Sequence, residues 1–387
     1  MTESKKKVNW SELCPELVRC VFERLSFTHL KRGRSVCSSW RSALRGCVPK
    51  RNQIPCLILF PNNNENNNNS SCVLFAPDDR DKTYKTRDLG VDFGQSSCVA
   101  TYGSWLLMLD TRWDLNILNP LTGERIDLPT TNYAHHPPRP YDNMKPPNLV
   151  ACLWIDGTSK DYLAVCKIDY PIFTKRGNHW WRRFGEDGYK QMVYEPTSQK
   201  LYISHYHNRI QVWSFSGDDP QQIFESYPQI DRYAFWDFLP DRCKYDKELY
   251  RKEEEFYGKE YVDSRLYIAV STLSGQVLKV VNVLQKSKRW LFRVYKMHPV
   301  ERSWEVVDSL GDEALILDMG ITVVATKDIP GIKKNSIYFS GLNSCRNNPD
   351  HIFVFDLTTH EIEPLPQCVF SSLHFSNARW FFPGLDV

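Results

Sequence analysis

NILNPLTGERIDLP, residues 116–129, returns near the far end of the chain as IFVFDLTTHEIEPLP, residues 352–366. Each copy gives an apolar strand, an Asn or Asp, a turn containing Thr, then Glu, Ile and Leu-Pro. That order is a strand, a tight turn and a second strand. Looser echoes are RIQVWSFSGDDPQQIFESYP (209–228) and LFRVYKMHPVERSWEVVDSL (291–310). Such units at intervals of roughly 40–50 residues predict a propeller-like array. The roughly 330 residues after the amino-terminal fifty allow six or seven blades at about 45 residues each.

Strand patterns fill the spaces between these units. IPCLILF (54–60) and CVLFA (72–76) read as a hairpin whose long tip is the Asn-rich stretch 61–71. Further strands are predicted at 96–110, 149–156, 161–168, 191–196, 200–206, 265–271, 276–284, 314–319, 322–327 and 335–341. Two stretches interrupt the pattern. Residues 130–148 are proline-rich, and residues 239–261 are highly charged. Insertions of this kind decorate a scaffold's rim and often carry binding.

Before residue 50 the period is different. Leu13, Leu17, Val18, Val21, Phe22 and Leu25 mark one face of a helix, with Arg19, Glu23 and Arg24 opposite. Ser11 is the expected N-cap, with Pro15 and Glu16 in the first turn. Ser26 or Thr28 would cap a second helix carrying Leu30, Val36, Cys37, Trp40 and Leu44, ended by Gly46 and Pro49. The chain thus divides into a helical module, 1–50, and a β domain, 51–387. A unit of about 40 residues is too small to bury its own apolar face fully, so a partner that completes it is expected.

Composition fits a globular chain of 387 residues, with 25% charged and 13% aromatic residues. Residues 1–50 hold eleven Lys/Arg against four Glu, a net +7 in a chain of +3, which leaves −4 for the rest. An acidic protein is a better match for this basic head than nucleic acid, because its cations alternate with an apolar face. No secretory apolar core follows Met1, and no run of 18 apolar residues could span a membrane. The 12 cysteines form no C-x-x-C. They read as buried free thiols, which places the chain in the nucleus or cytoplasm.

Catalytic patterns are missing. No phosphate-cradling Gly loop follows a strand, and there is no G-x-S-x-G elbow. His205 and His207 supply half a zinc site, and Cys243 or Asp231 would be needed to extend it. They read instead as surface or pore-lining residues. Neither metal nor cofactor is expected. Trp180-Trp181-Arg182-Arg183 has the look of a patch for single-stranded nucleic acid. It reads more simply as a blade strand with one Trp buried and one outside.

Residues 13–41 resemble an F-box. The resemblance is carried by Leu13, Pro15, Glu16, Leu17, Val18, Val21, Phe22, Arg24 and Leu25, then Val36, Cys37, Trp40 and Arg41. Cys14 stands where that pattern has its usual proline, which here has moved to 15. Thr28 and His29 stand near its usual acidic residue. GSWLLMLD, NILNPLTGERIDLP, SWEVVDSLGDEALIL, KKNSIYFSG, IFVFDLTTHEIEPLP and the terminal RWFFP resemble, in order, the KIB-type propeller domain of plant F-box proteins. The resemblance implies a mainly β chain: a short α-helical F-box followed by a β-propeller. It also implies a non-catalytic substrate receptor of an SCF (Skp–cullin–F-box) ubiquitin ligase. The helices would bind the Skp-type adaptor, and through it cullin. The propeller would hold an unnamed target protein. The expected docking residues are Leu13, Pro15, Leu17, Val18, Val21, Phe22, Leu25, Leu30, Val36 and Trp40, of which some must pack internally. An adaptor-independent scaffold, a nucleic-acid binder and a propeller hydrolase or lectin are the alternative classes.

Overall fold

The middle of the chain is apolar in unbroken runs such as Trp105–Leu109, all five residues of which are buried. Runs of this kind suit a sheet covered on both faces. The computed structural model describes residues 10–25, 29, 32–44, 56–61, 71–75, 83–131, 149–186, 188–205, 209–225, 261–285, 287, 289–297, 304–318, 321–325, 332–340, 351–369 and 375–382. It arranges their strands as six sheets, the blades of a propeller.

The first blade holds β1 (Cys56–Pro61), β2 (Val73–Phe75) and β3 (Thr83–Lys85). The second holds β4 (Ser97–Tyr102), β5 (Trp105–Leu109), β6 (Leu115–Leu118) and β7 (Arg125–Asp127). The third is β8 (Val150–Ile155), β9 (Tyr162–Lys167), β10 (Pro171–Lys175) and β11 (Arg182–Arg183). The fourth is β12 (Tyr189–Glu195), β13 (Lys200–His205), β14 (Ile210–Ser214) and β15 (Gln221–Glu225). The fifth is β16 (Tyr261–Val270), β17 (Val277–Gln285), β18 (Trp290–Met297) and β19 (Trp304–Val307). The sixth is β20 (Glu313–Leu317), β21 (Ile321–Ala325), β22 (Ser336–Ser340), β23 (His351–Asp356) and β24 (Ile362–Val369). The last strand, β25 (Phe375–Phe381), crosses to the first blade and pairs antiparallel with β1.

Each strand serves two interfaces. Leu106 and Met108 of β5 pack with Cys56, Ile58 and Leu74 of the first blade. Trp105, Leu107 and Leu109 pack with Leu153, Ile155 and Ala164 of the third. The period of two is present, but both of its faces are core. Burial pushes the thiols of Cys72, Cys98 and Cys166 up to about 12, so these cysteines act as small inert core residues.

The repeated sequence unit is the outer hairpin of a blade. Residues 116–129, 209–228, 291–310 and 352–366 contain the third and fourth strands of the second, fourth and fifth blades and the last two of the sixth. Their Asx residues organise the turns. The Asn119 side chain accepts from the Leu121 and Thr122 N–H groups at 3.0 and 3.2 Å. Asp356 accepts from Thr358 and Thr359 at 2.8 and 3.2 Å. Asp156 does the same in the inner hairpin of the third blade, and Glu195 in that of the fourth. The fourth residue after each of these is left-handed: Gly123, Lys160, Gln199 and His360. Three of the four therefore carry a side chain in a conformation that favours glycine.

The sixth blade departs from the expected plain hairpins. β20 pairs antiparallel with β21 and in parallel with β22, giving five strands. A buried carboxylate holds the start of β20. Glu313 accepts from the hydroxyls of Ser271 and Thr272 at 2.8 and 2.7 Å, and from the N–H groups of Thr272 and Leu273 at 2.7 and 3.1 Å. The first turn of the fifth blade is thereby fixed to the sixth. Most of residues 61–71, 130–148 and 239–261 lie outside the described residues.

Ring closure is reinforced by side chains. The Trp380 indole donates to the Leu317 carbonyl at 2.8 Å, and its backbone N–H donates to Asp318 at 3.0 Å. Arg379 and Asp318 face each other at 3.7 Å, both nearly buried. The Phe382 N–H donates to Gly103 of the second blade at 3.1 Å. Asp318→Ala would strand a buried guanidinium and free a backbone donor, so it should lower unfolding stability by about 3–5 kcal/mol in denaturant melts. Gln199→Gly removes left-handed strain at an exposed turn and should raise stability by about 1 kcal/mol in the same assay.

Candidate functional site

Pro15 decides where the first helix begins. It forces Cys14 into an extended conformation and supplies a ready-made first helical residue. The helix α1 therefore runs Pro15–Phe22 and is capped at Cys14, with no side-chain cap bond. The expected N-cap, Ser11, lies instead in a short 3-10 turn, Trp10–Glu12. The expected second helix is also interrupted. Val36 precedes an extended Cys37, whose Sγ accepts from the Trp40 N–H at 3.4 Å and so caps α2 (Ser38–Ala43). The Ser39 hydroxyl, then the Trp40 N–H, hold the Cys37 thiol below its ordinary value.

The ten expected docking residues fall into distinct groups. Val18 and Phe22 are buried, one helical turn apart, against Ala43 and Leu44. Leu13, Leu25 and Trp40 border that cluster and are partly buried. The Phe22 and Trp40 rings meet edge to face at 5.2 Å, and the Trp40 indole donates to the Trp10 carbonyl at 3.1 Å. Arg19 and Arg34 donate to the last carbonyls around α2, Ala43 at 2.6 Å and Leu44 at 3.1 Å. Gly33 packs on the Phe22 ring so closely that a Cβ there would collide with it.

Leu17 and Val21 form a neighbouring stripe, also one turn apart, that this core does not use. They are 53% and 44% exposed, and Val36 is 61% exposed. Trp10 is 62% exposed. Pro15 is exposed at the helix start. Leu30 lies outside the described residues. Among the described residues, the core of the module is built from residues 13–44. The apolar side chains left exposed include Leu17, Val21 and Val36, and helical periodicity could not separate Leu17 and Val21 from Val18 and Phe22. Trp10 was missed because it precedes the periodic run.

Two family models match the chain. Residues 10–52 match the F-box domain, and residues 74–356 match the KIB1-4 beta-propeller family. This chain is an F-box protein of the KIB1-4 β-propeller family. F-box protein At2g05970 of Arabidopsis thaliana is 58% identical over 392 residues, covering 100% of this chain and 99% of the relative. Putative F-box protein At4g17565 of the same plant is 50% identical over 381 residues, covering 97% and 95%. Putative F-box protein At4g22180, also from that plant, is 37% identical over 400 residues, covering 97% and 94%.

The other residues singled out in the sequence of this F-box protein fall in separate places. His205 is neither at the surface nor in a pore. It is buried edge-on against Tyr189, with ring centroids 4.6 Å apart, and Arg209 lies 3.3 Å from its Nδ1. Burial holds its imidazole below the ordinary value, while Gln211 acts the other way. His207, Asp231 and Cys243 lie outside the described residues. Trp180 is exposed on a turn, and Trp181 is partly buried with its indole donating to the Pro129 carbonyl at 2.7 Å. Only Arg182 and Arg183 of that tetrapeptide belong to a strand. Cys14 and Cys20 of the F-box are exposed, contrary to the expectation of buried thiols, because both lie off its Val18–Phe22 stripe.

Phe22→Ala should remove about 3–5 kcal/mol from the F-box core and make residues 10–44 sensitive to limited proteolysis. Leu17→Ser, on the exposed stripe, should leave the digestion pattern unchanged.

Proposed function

We propose that this chain is the substrate-recognition subunit of an SCF-type ubiquitin ligase. The observation that carries the reading is that Leu17, Val21 and Val36 are exposed while Val18 and Phe22 fill the described F-box core. F-box domains generally bind Skp1-type adaptors. A helix that leaves Leu17 and Val21 in water, with a further apolar side chain, Val36, exposed in the turn before α2, suits insertion into a partner's groove. The basic residues of the module favour an acidic partner surface.

In this reading the chain does no covalent chemistry. The adaptor and cullin carry the ubiquitin-charged enzyme, and the propeller holds the target beside it. The gain is effective concentration: transfer to the tethered protein becomes intramolecular. A closed ring of six blades gives a rigid platform for the task. Free cysteines among the described residues fit a reducing compartment, so the assembly is proposed to work in the nucleus or cytosol.

The test is co-purification. The triple substitution Leu17→Asp, Val21→Asp and Val36→Asp should weaken capture of a Skp-type adaptor and cullin by more than about a hundredfold. The thermal melt of the propeller should not move. Capture at the parental level would overturn the reading and leave the chain as an adaptor-independent scaffold.

A further inference from the structure

Several ring faces of the propeller are already covered by the chain's own cations. Lys160 sits 4.4 Å over Trp105, and Arg183 sits 4.4 Å over Tyr170. Lys279 lies between Tyr295 and Trp304, at 4.5 and 4.8 Å. Trp154 and Tyr194 have no such cover among the described residues. Each is the penultimate residue of an innermost strand, Trp154 on β8 and Tyr194 on β12. They meet at the seam between the third and fourth blades. Their ring centroids are 5.8 Å apart and their planes inclined by 55°, an open V. Phe215 backs Tyr194 at 6.4 Å, edge to face.

Both rings are only partly buried. No hydrogen bond joins the Trp154 indole N–H or the Tyr194 hydroxyl to another described residue. The pair packs on the core between the blades and keeps part of its surface accessible. A carboxylate belongs to the turn beyond each ring, Asp156 after Trp154 and Glu195 directly after Tyr194. Burial first, then Cys152, Glu195 and Tyr102, push the Tyr194 phenol up to about 12. Of these neighbours Glu195 is the ionised one, and its negative charge favours a cation beside the phenol. Lys160, the ammonium of the first turn, is already engaged by Glu124 at 3.2 Å and by Trp105.

We propose that the seam at Trp154 and Tyr194 receives a cationic side chain, arginine or lysine, from the polypeptide that the propeller holds. An aromatic pair with a nearby carboxylate is a general receptor for such a group. The seam opens beside the turns that join first to second strands. The chain enters β1 from the F-box at that same face, since strand direction in the first blade matches and Phe382 reaches Gly103 there. The substrate-receptor reading supplies only the identity of the bound polypeptide as a target; the cation site itself can be measured without an adaptor.

The experiment uses the full chain labelled with 5-fluorotryptophan, with the Trp154 resonance assigned from Trp154→Phe. A capped tri-arginine peptide should shift that resonance saturably, and a tri-glutamine peptide should not. Tyr194→Ala should weaken tri-arginine binding about five- to thirty-fold. Tyr194→Phe, which keeps the ring, should retain it, and Trp180→Ala should bind as the parent does. No saturable shift, an equal response to tri-glutamine, or undiminished binding by Tyr194→Ala with Tyr194→Phe folded would overturn the proposal. Loss of adaptor capture in the F-box variant would leave these results untouched, so the two failures can be told apart.

Discussion

Backbone pairing between β1 and β25 is the constraint on which the propeller depends. A circle of sheets built from one chain has two loose edges until its ends meet. Here Cys56 to Pro61 align with Phe381 to Phe375, and the Trp380 indole and Asp318 tie the arriving strand to the sixth blade. The other interfaces are mainly face-to-face apolar packing between neighbours, with single directional ties such as Glu313 to the turn at Ser271. Such packing is strong in sum but does not by itself choose which blades meet. The directional bonds at the junction make that choice.

The architecture was legible where local chemistry repeats. The turn built on Asn119 and the one built on Asp356 have the same hydrogen-bond logic, so they leave the same mark in the sequence. Strand positions followed from runs such as 161–168 because both faces of each blade are buried. Blade number was less legible, since stretches such as 130–148 and 239–261 lengthen the chain without adding to the count. The strand at 322–327 was legible, but its place was not: β20 lies between β21 and a parallel β22, and no local pattern records that pairing.

The F-box shows the same limit on a smaller scale. Period 3.6 identified the helix and its apolar side but merged two adjacent stripes. Only the position of Ala43 and Leu44 shows that Val18 and Phe22 face inward, leaving Leu17 and Val21 exposed. The cap at Cys37 escaped notice because a thiol is a weak acceptor and an uncommon N-cap. The seam at Trp154 and Tyr194 joins residues forty positions apart on different blades. Trp154 in a strand was visible in the sequence, but its neighbour was not.

The order of elements along the chain has a consequence for biosynthesis. The F-box precedes the propeller along the chain, and its core among the described residues lies within 13–44, so it can take shape while the propeller is still being translated. The ring cannot shut until residues 375–381 have left the ribosome. For most of its synthesis the nascent protein therefore has its F-box in place and its propeller still open, with the first blade's inner edge unpaired.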